Sequence, residues 1–217
     1  MSGDPAAVLL DLHQRISGCT VCPLARTRTH AVPGEGPHTA RIMAVGEAPG
    51  EREDLTGRPF VGSAGQLLTR LLESVGLQRS DLYICNVLKC RPPGNRDPEP
   101  AEVDACAHFL DEQIALIRPD VILLLGRHAV ARLLPGLPGI SRLHGKRIVR
   151  GDRTYVPLYH PAAALYNAAL LRTLEEDMRL VRGYLDEAEA ERALAAAAAG
   201  AAEREAVAAA REQLTLF

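Results

Sequence analysis

Val121-Ile122-Leu123-Leu124-Leu125-Gly126 is a run of large aliphatic residues closed by a glycine. Polar and apolar residues do not alternate in it, so a strand here needs cover on both faces, the situation of a parallel sheet under helices. Three further runs share the character: Arg41–Gly46, Leu82–Val87 and Thr154–His160 are short, β-branched and bounded by turn residues. Helical patterns separate them. Ala64–Val75 places Leu67, Leu68, Leu71, Leu72 and Val75 on one face, and Pro100–Ile117, Arg127–Leu134 and a final stretch from Ala168 to Leu185 complete the set. Strands alternating with helices predict an α/β chain with a parallel sheet.

In such sheets ligands bind beyond the carboxyl ends of the strands. The first strand runs into Gly46-Glu47-Ala48-Pro49-Gly50, the second into Asn86 and a basic turn, and the fourth into His160-Pro161. Three polar loops therefore meet at one edge of the sheet. The first has the wrong glycine spacing for a phosphate loop, and no Lys-Ser/Thr pair follows it. Beyond it, Thr56-Gly57-Arg58-Pro59-Phe60-Val61-Gly62 carries one of only three phenylalanines in a chain without tryptophan. Phe60 is either a loop anchor in the core or a stacking face for a flat ring. Asn86 offers a donor and an acceptor that could read the edge of a heterocycle, and His160 could donate to an oxygen on which charge develops. Together they predict base recognition.

With 217 residues, 47% of them hydrophobic, the chain can bury one substantial core with appendages. No stretch approaches the roughly 18 apolar residues that cross a bilayer. The first residues lack the features of a signal peptide, and thiols at metal-like spacing point to the cytoplasm. The chain has a net charge of −2. From Asp186 onward there are seven acidic and three basic residues, which leaves residues 1–185 slightly basic and no obstacle to a phosphate backbone.

Cys19-Thr20-Val21-Cys22 forms a C-x-x-C pair, followed by Cys90 and Cys106. Four thiolates converging on one point suit tetrahedral zinc or a cubane iron–sulfur cluster; scattered core cysteines are the alternative. Redox chemistry of the pair fits poorly, because it neither follows a strand nor opens a helix. Cys85 lies in an apolar run and reads as a small buried hydrophobe.

The loop Gly46–Gly50 followed by Thr56–Leu68 resembles the first motif of the family 4 uracil-DNA glycosylases. Asn86-x-x-Lys89-Cys90-Arg91-Pro92-Pro93-x-Asn95-Arg96 is similar to their central motif, and His160-Pro161-Ala162-Ala163 to a second superfamily signature. The resemblance spans residues 16 to 182. It implies a three-layer αβα sandwich around a four-stranded parallel sheet and a [4Fe–4S] cluster on Cys19, Cys22, Cys90 and Cys106; the protein is expected to be a monomer. It also implies hydrolysis of the N-glycosidic bond of a deoxyuridine flipped out of DNA. In that reading Phe60 stacks on the uracil, Asn86 bonds its pyrimidine edge, and His160 contacts the carbonyl oxygen that gains charge. Groups near Glu47 and Ala48 complete the pocket, and Glu53 excludes the thymine methyl. Ala48 stands where family 1 enzymes carry a water-handling aspartate, so Glu47 or Asn95 takes that task. Ala164 or Leu165 fills the vacated stack.

From Asp186 the sequence turns Ala/Glu/Arg-rich, with high helix propensity and few large apolar residues. The expected division is a glycosylase domain over 1–185 and a tether over 186–217. Its last residues, Gln213-Leu214-Thr215-Leu216-Phe217, resemble the bacterial sliding-clamp binding motif, with Gln213, Leu214, Leu216 and Phe217 as the contacts. A noncatalytic iron–sulfur DNA-binding accessory of a polymerase is the alternative, disfavoured by the intact set of Phe60, Asn86 and His160.

Overall fold

The computed structural model describes residues 4–214. Two compact units are distinguished, one ending at Val181 and the other beginning at Arg182. The first unit opens with helix α1 (Pro5–Gly18), started by Pro5 in its first turn and by the Asp4 carboxylate accepting from the Ala6 N–H. The strands are β1 (Ile42–Gly46), β2 (Leu82–Asn86), β3 (Val121–Leu125), β4 (Ile148–Arg150) and β5 (Arg153–Leu158). Between β1 and β2 lie α2 (Glu51–Thr56) and α3 (Ser63–Glu73), and between β2 and β3 lies α4 (Pro100–Ile117). α5 (Arg127–Leu133) and α6 (Ile140–Leu143) precede β4, and α7 (Pro161–Ala164) follows β5.

The sheet order is β2-β1-β3-β5-β4. β1, β2, β3 and β5 run parallel, as the four apolar runs predict. The sheet has five strands rather than the expected four. β4 is a three-residue antiparallel edge strand paired with β5. Its residues are exposed or half-buried, so it carries no apolar run that could announce it. β1, β2 and β3 are buried at every position.

Side chains alternate across each strand. Met43, Val45, Tyr83, Cys85, Ile122, Leu124 and Tyr155 join one core cluster with α1, α4 and α5. The alternate positions, among them Ile42, Ala44, Leu123 and Val156, are buried on the other face. Leu67, Leu68, Leu71 and Leu72 of α3 are buried outside that first cluster. α4 is held at its start by Pro100 and by a capping box in which Glu99 and Glu102 bond each other's backbone.

The last helix, α8, runs from Ala168 to Leu214 without interruption, well past the expected end at Leu185. Among the described residues no helix is long and apolar enough to cross a membrane. Gln213 and Leu214 close that helix, whereas Leu216 and Phe217 lie outside the described residues.

Candidate active site

The chain passes from β1 outward to β2 and then returns to β3 on β1's other side, so the switch point of the sheet lies between β1 and β3. A cavity of about 270 Å3 opens at this edge. Glu47, Ala48, Glu53, Phe60, Asn86, Asn95 and His160, the seven residues singled out in the sequence, all line it.

Asn86 ends β2 opposite Gly46 of β1. Its side chain is 1% exposed, and Oδ1 has no hydrogen-bond partner. A buried acceptor left alone costs about 1–3 kcal/mol, and Asn86 is one of the residues that line the cavity. Gly46 makes room for the arrangement. A Cβ there would sit 2.4 Å from Asn86 Oδ1 and 2.5 Å from the Phe60 ring.

Phe60 has φ of 50°, a left-handed conformation that bulky residues rarely adopt. The loop is held on both sides. Arg79 Nη1 donates to the Phe60 carbonyl at 3.0 Å, and Glu53 Oε1 accepts from the N–H groups of Val61 and Gly62 at 2.8 Å each. Glu53 therefore fixes the loop that presents Phe60, besides facing the cavity. The Phe60 and His160 rings are stacked, with centroids 5.8 Å apart.

His160 Nδ1 accepts from the Ala162 N–H at 3.2 Å, which leaves its proton on Nε2. Burial, the largest influence, lowers its pKa from 6.5 to about 4, so the ring is neutral at pH 7. Gly126, with φ of +92°, sits where any Cβ would come 3.0 Å from that of His160.

Glu47 is half-buried, and burial raises its carboxyl above the ordinary value, opposed by the nearby His128. Across the crevice His128 Nε2 lies 3.6 Å from Glu47 and 3.5 Å from Asp97. These three side chains bring ligand atoms within 4.8 Å of one another. Arg127 closes the group, donating to His128 Nε2 at 3.1 Å and pairing with Asp97, so a guanidinium occupies the place beside the carboxylates. His128 opens α5 directly after β3, and the carboxyl-end rule applied to that strand would have found it. Asn95 Oδ1 accepts from Arg91 Nε at 2.8 Å, in a backbone turn with φ of 55°. Ala164 is buried and Leu165 half-buried, so of the two stack-filling candidates the first has no free side chain to offer; the next residue, Tyr166, is 97% exposed.

Cys19, Cys22, Cys90 and Cys106 line a second, small cavity with apolar walls from Ile16 and Phe109. All five cysteines are free thiols, and Cys85 is packed inside β2. Arg28 Nη1 donates to Cys90 Sγ at 3.0 Å and the Lys89 N–H to Cys106 Sγ at 3.3 Å. Burial pushes both thiols up, Cys106 to about 11. Zinc holds thiolates at about 2.3 Å, which places its sulfurs only ~3.8 Å from one another. Among the described residues no group of three cysteine sulfurs closes to within 4.8 Å. Four thiols around an apolar space, two of them met by N–H donors, are a donor set that would suit an iron–sulfur cluster.

The family model of the uracil DNA glycosylase superfamily matches residues 33–181. The type-4 uracil-DNA glycosylase of Saccharolobus solfataricus is 50% identical over 173 residues, 76% of this chain and 80% of that protein. That of Thermotoga maritima is 47% identical over 176 residues, 79% of this chain and 92% of that protein. A type-5 uracil-DNA glycosylase from Pyrobaculum aerophilum is 34% identical over 186 residues, 74% of this chain and 81% of that protein. The chain thus belongs to the uracil DNA glycosylase superfamily, among its type-4 members.

Proposed function

We propose that the protein releases uracil from DNA by hydrolysing the N-glycosidic bond of a flipped-out deoxyuridine. The single observation that carries this reading is the orphaned Asn86 Oδ1 beside Phe60 and a neutral His160. Uracil presents N3–H next to a carbonyl oxygen, matching the acceptor and donor of one amide. Cytosine presents an acceptor at N3 and an amino group beside it, which reverses both contacts. Phe60 provides the stacking face, and Glu53 excludes the thymine methyl.

Bond cleavage leaves the electron pair on uracil as an anion. His160 donates from Nε2 to the oxygen on which that charge develops, its ring kept in place by the Ala162 N–H and by Gly126. Glu47 orients the attacking water and takes its proton as oxygen bonds to the sugar C1′. Its raised pKa suits a base better than an exposed carboxylate. Asn95 is the weaker candidate because Arg91 already occupies its Oδ1.

Cys19, Cys22, Cys90 and Cys106 would hold a [4Fe–4S] cluster, which would supply a crosslink joining the segment after α1, the turn after β2 and α4. The C-terminal Gln213–Phe217 docks on the sliding clamp of a bacterial replication complex.

A uracil-containing oligonucleotide incubated with the purified protein and treated with alkali should break at the uracil. Intact strands under single-turnover conditions, with iron bound and the protein folded, would overturn the reading in favour of a noncatalytic DNA-binding role.

A further inference from the structure

Lys89 lies between the two cavities. Its side chain is 1% exposed, among the largest fully buried side chains in the chain. Nζ donates to the Asn86 carbonyl at 2.7 Å and to Gln113 Oε1 at 2.6 Å. Its backbone N–H meets Cys106 Sγ. Gln113 Nε2 continues the chain to the Tyr83 hydroxyl at 2.8 Å and the Pro33 carbonyl at 2.7 Å, and His13 Nε2 shares the Tyr83 hydroxyl at 2.7 Å. One buried network therefore joins α1, β2 and α4 behind the substrate cavity.

An ammonium taken out of water costs several kcal/mol unless an opposite charge meets it. Among the described residues no carboxylate lies within ion-pair distance of Lys89, and both its acceptors are neutral. A cluster ligated by four thiolates would carry net negative charge and would supply the missing counter-charge.

We propose that Lys89 is a positioning residue coupling the cysteine centre to uracil recognition, its backbone N–H fixing Cys106 and its ammonium fixing the carbonyl of Asn86. The inference rests on the glycosylase reading and the cluster reading. It makes the register of Asn86 in the cavity depend on the cluster some residues away, through one side chain.

The test uses the iron-loaded full chain with Lys89→Met and Lys89→Arg. Iron content, the cluster's midpoint potential and single-turnover uracil release are measured together. Lys89→Met removes a positive charge, so the potential moves to more negative values while iron is retained. Uracil release falls by about 10–100-fold, the scale for lost outer-shell partners. Oligonucleotide affinity stays unchanged, because phosphate contacts dominate it. Lys89→Arg restores the potential. A folded, iron-loaded Lys89→Met protein with wild-type potential and rate overturns the proposal. If Lys89→Met does not fold, Gln113→Leu keeps the charge and removes its side-chain anchor; a wild-type release rate in that variant overturns the proposal equally. A wild-type chain that releases no uracil fails the glycosylase reading instead, and a wild-type potential in Lys89→Met then still overturns the action of Lys89 on the cysteine centre.

Discussion

A neutral imidazole is the most informative single group in the cavity. The Ala162 N–H points at Nδ1, so a second proton on the ring would face a donor rather than an acceptor. Burial and this contact act together, and they set the sign of two pH effects. The folded value of about 4 lies below the ordinary 6.5, so between the two the unfolded chain binds a proton that the folded chain does not. His160 thus contributes stability that is fully present above pH 6.5 and drains away as pH falls toward 4. Nitrogen NMR of the ring should report the neutral form, protonated at Nε2, at pH 5.5. A midpoint near 6.5 in that titration would show that the ring is solvated and the geometry wrong. Replacing His160 with Ala should lower single-turnover release by about 10²–10³-fold, the usual effect of one lost oxyanion donor. Oligonucleotide binding should hold. Asn86 and His160 were legible in sequence because each ends or follows an apolar run, and Phe60 because a rare aromatic stands in a polar loop. Lys89 and His128 were not singled out as site residues. A lysine beside arginine and proline reads as a surface charge, and nothing local to the sequence shows that β2 and α4 close over it.

At the scale of elements, the alternation of runs and helices disclosed the four parallel strands, because each needs a continuous apolar stretch that polar loops interrupt. β4 was invisible for the opposite reason, since a three-residue edge strand with exposed side chains has no pattern to read. The segment between α7 and α8 shows the same limit. Sequence offered Ala164 and Leu165 to fill the gap left by a flipped base, but α7 turns Ala164 inward. Asn167 then caps the next helix, its Oδ1 accepting from the N–H groups of Ala169 and Leu170. Tyr166 is left standing in solvent between the two helices, 97% exposed and six positions past His160. Exposed aromatics of this kind stack on bases at about 1–3 kcal/mol each. Tyr166→Ser should therefore slow release from duplex DNA about tenfold or more by that energy. Single-stranded substrate has no stack to repair and should be affected far less. Equal loss on both substrates would assign Tyr166 to general DNA affinity instead.

The whole molecule joins a catalytic unit to a long helix of different composition. Residues 1–181 hold the sheet and both cavities, whereas α8 continues to Leu214 through an Ala-rich stretch whose described side chains are mostly exposed. High helix propensity in alanine, glutamate and arginine accounts for the helix from Asp186 to Gly200, where the described side chains are mostly exposed. In the proposed docking, Gln213, Leu214, Leu216 and Phe217 would supply one amide and three apolar anchors. A peptide of this size buries little area, so its affinity for a preformed groove should fall near the micromolar range, about −8 kcal/mol. Recruitment and catalysis are separable on this view. A chain lacking residues 213–217 should release uracil from a short oligonucleotide at the full rate and melt at the same temperature. The same truncation should abolish binding to a bacterial sliding clamp by calorimetry. Clamp binding that survives the truncation would place the docking surface elsewhere. A truncated chain that loses stability and activity would instead make the final residues part of the fold, because a tether can be cut without cost to the unit it carries and a packed helix end cannot.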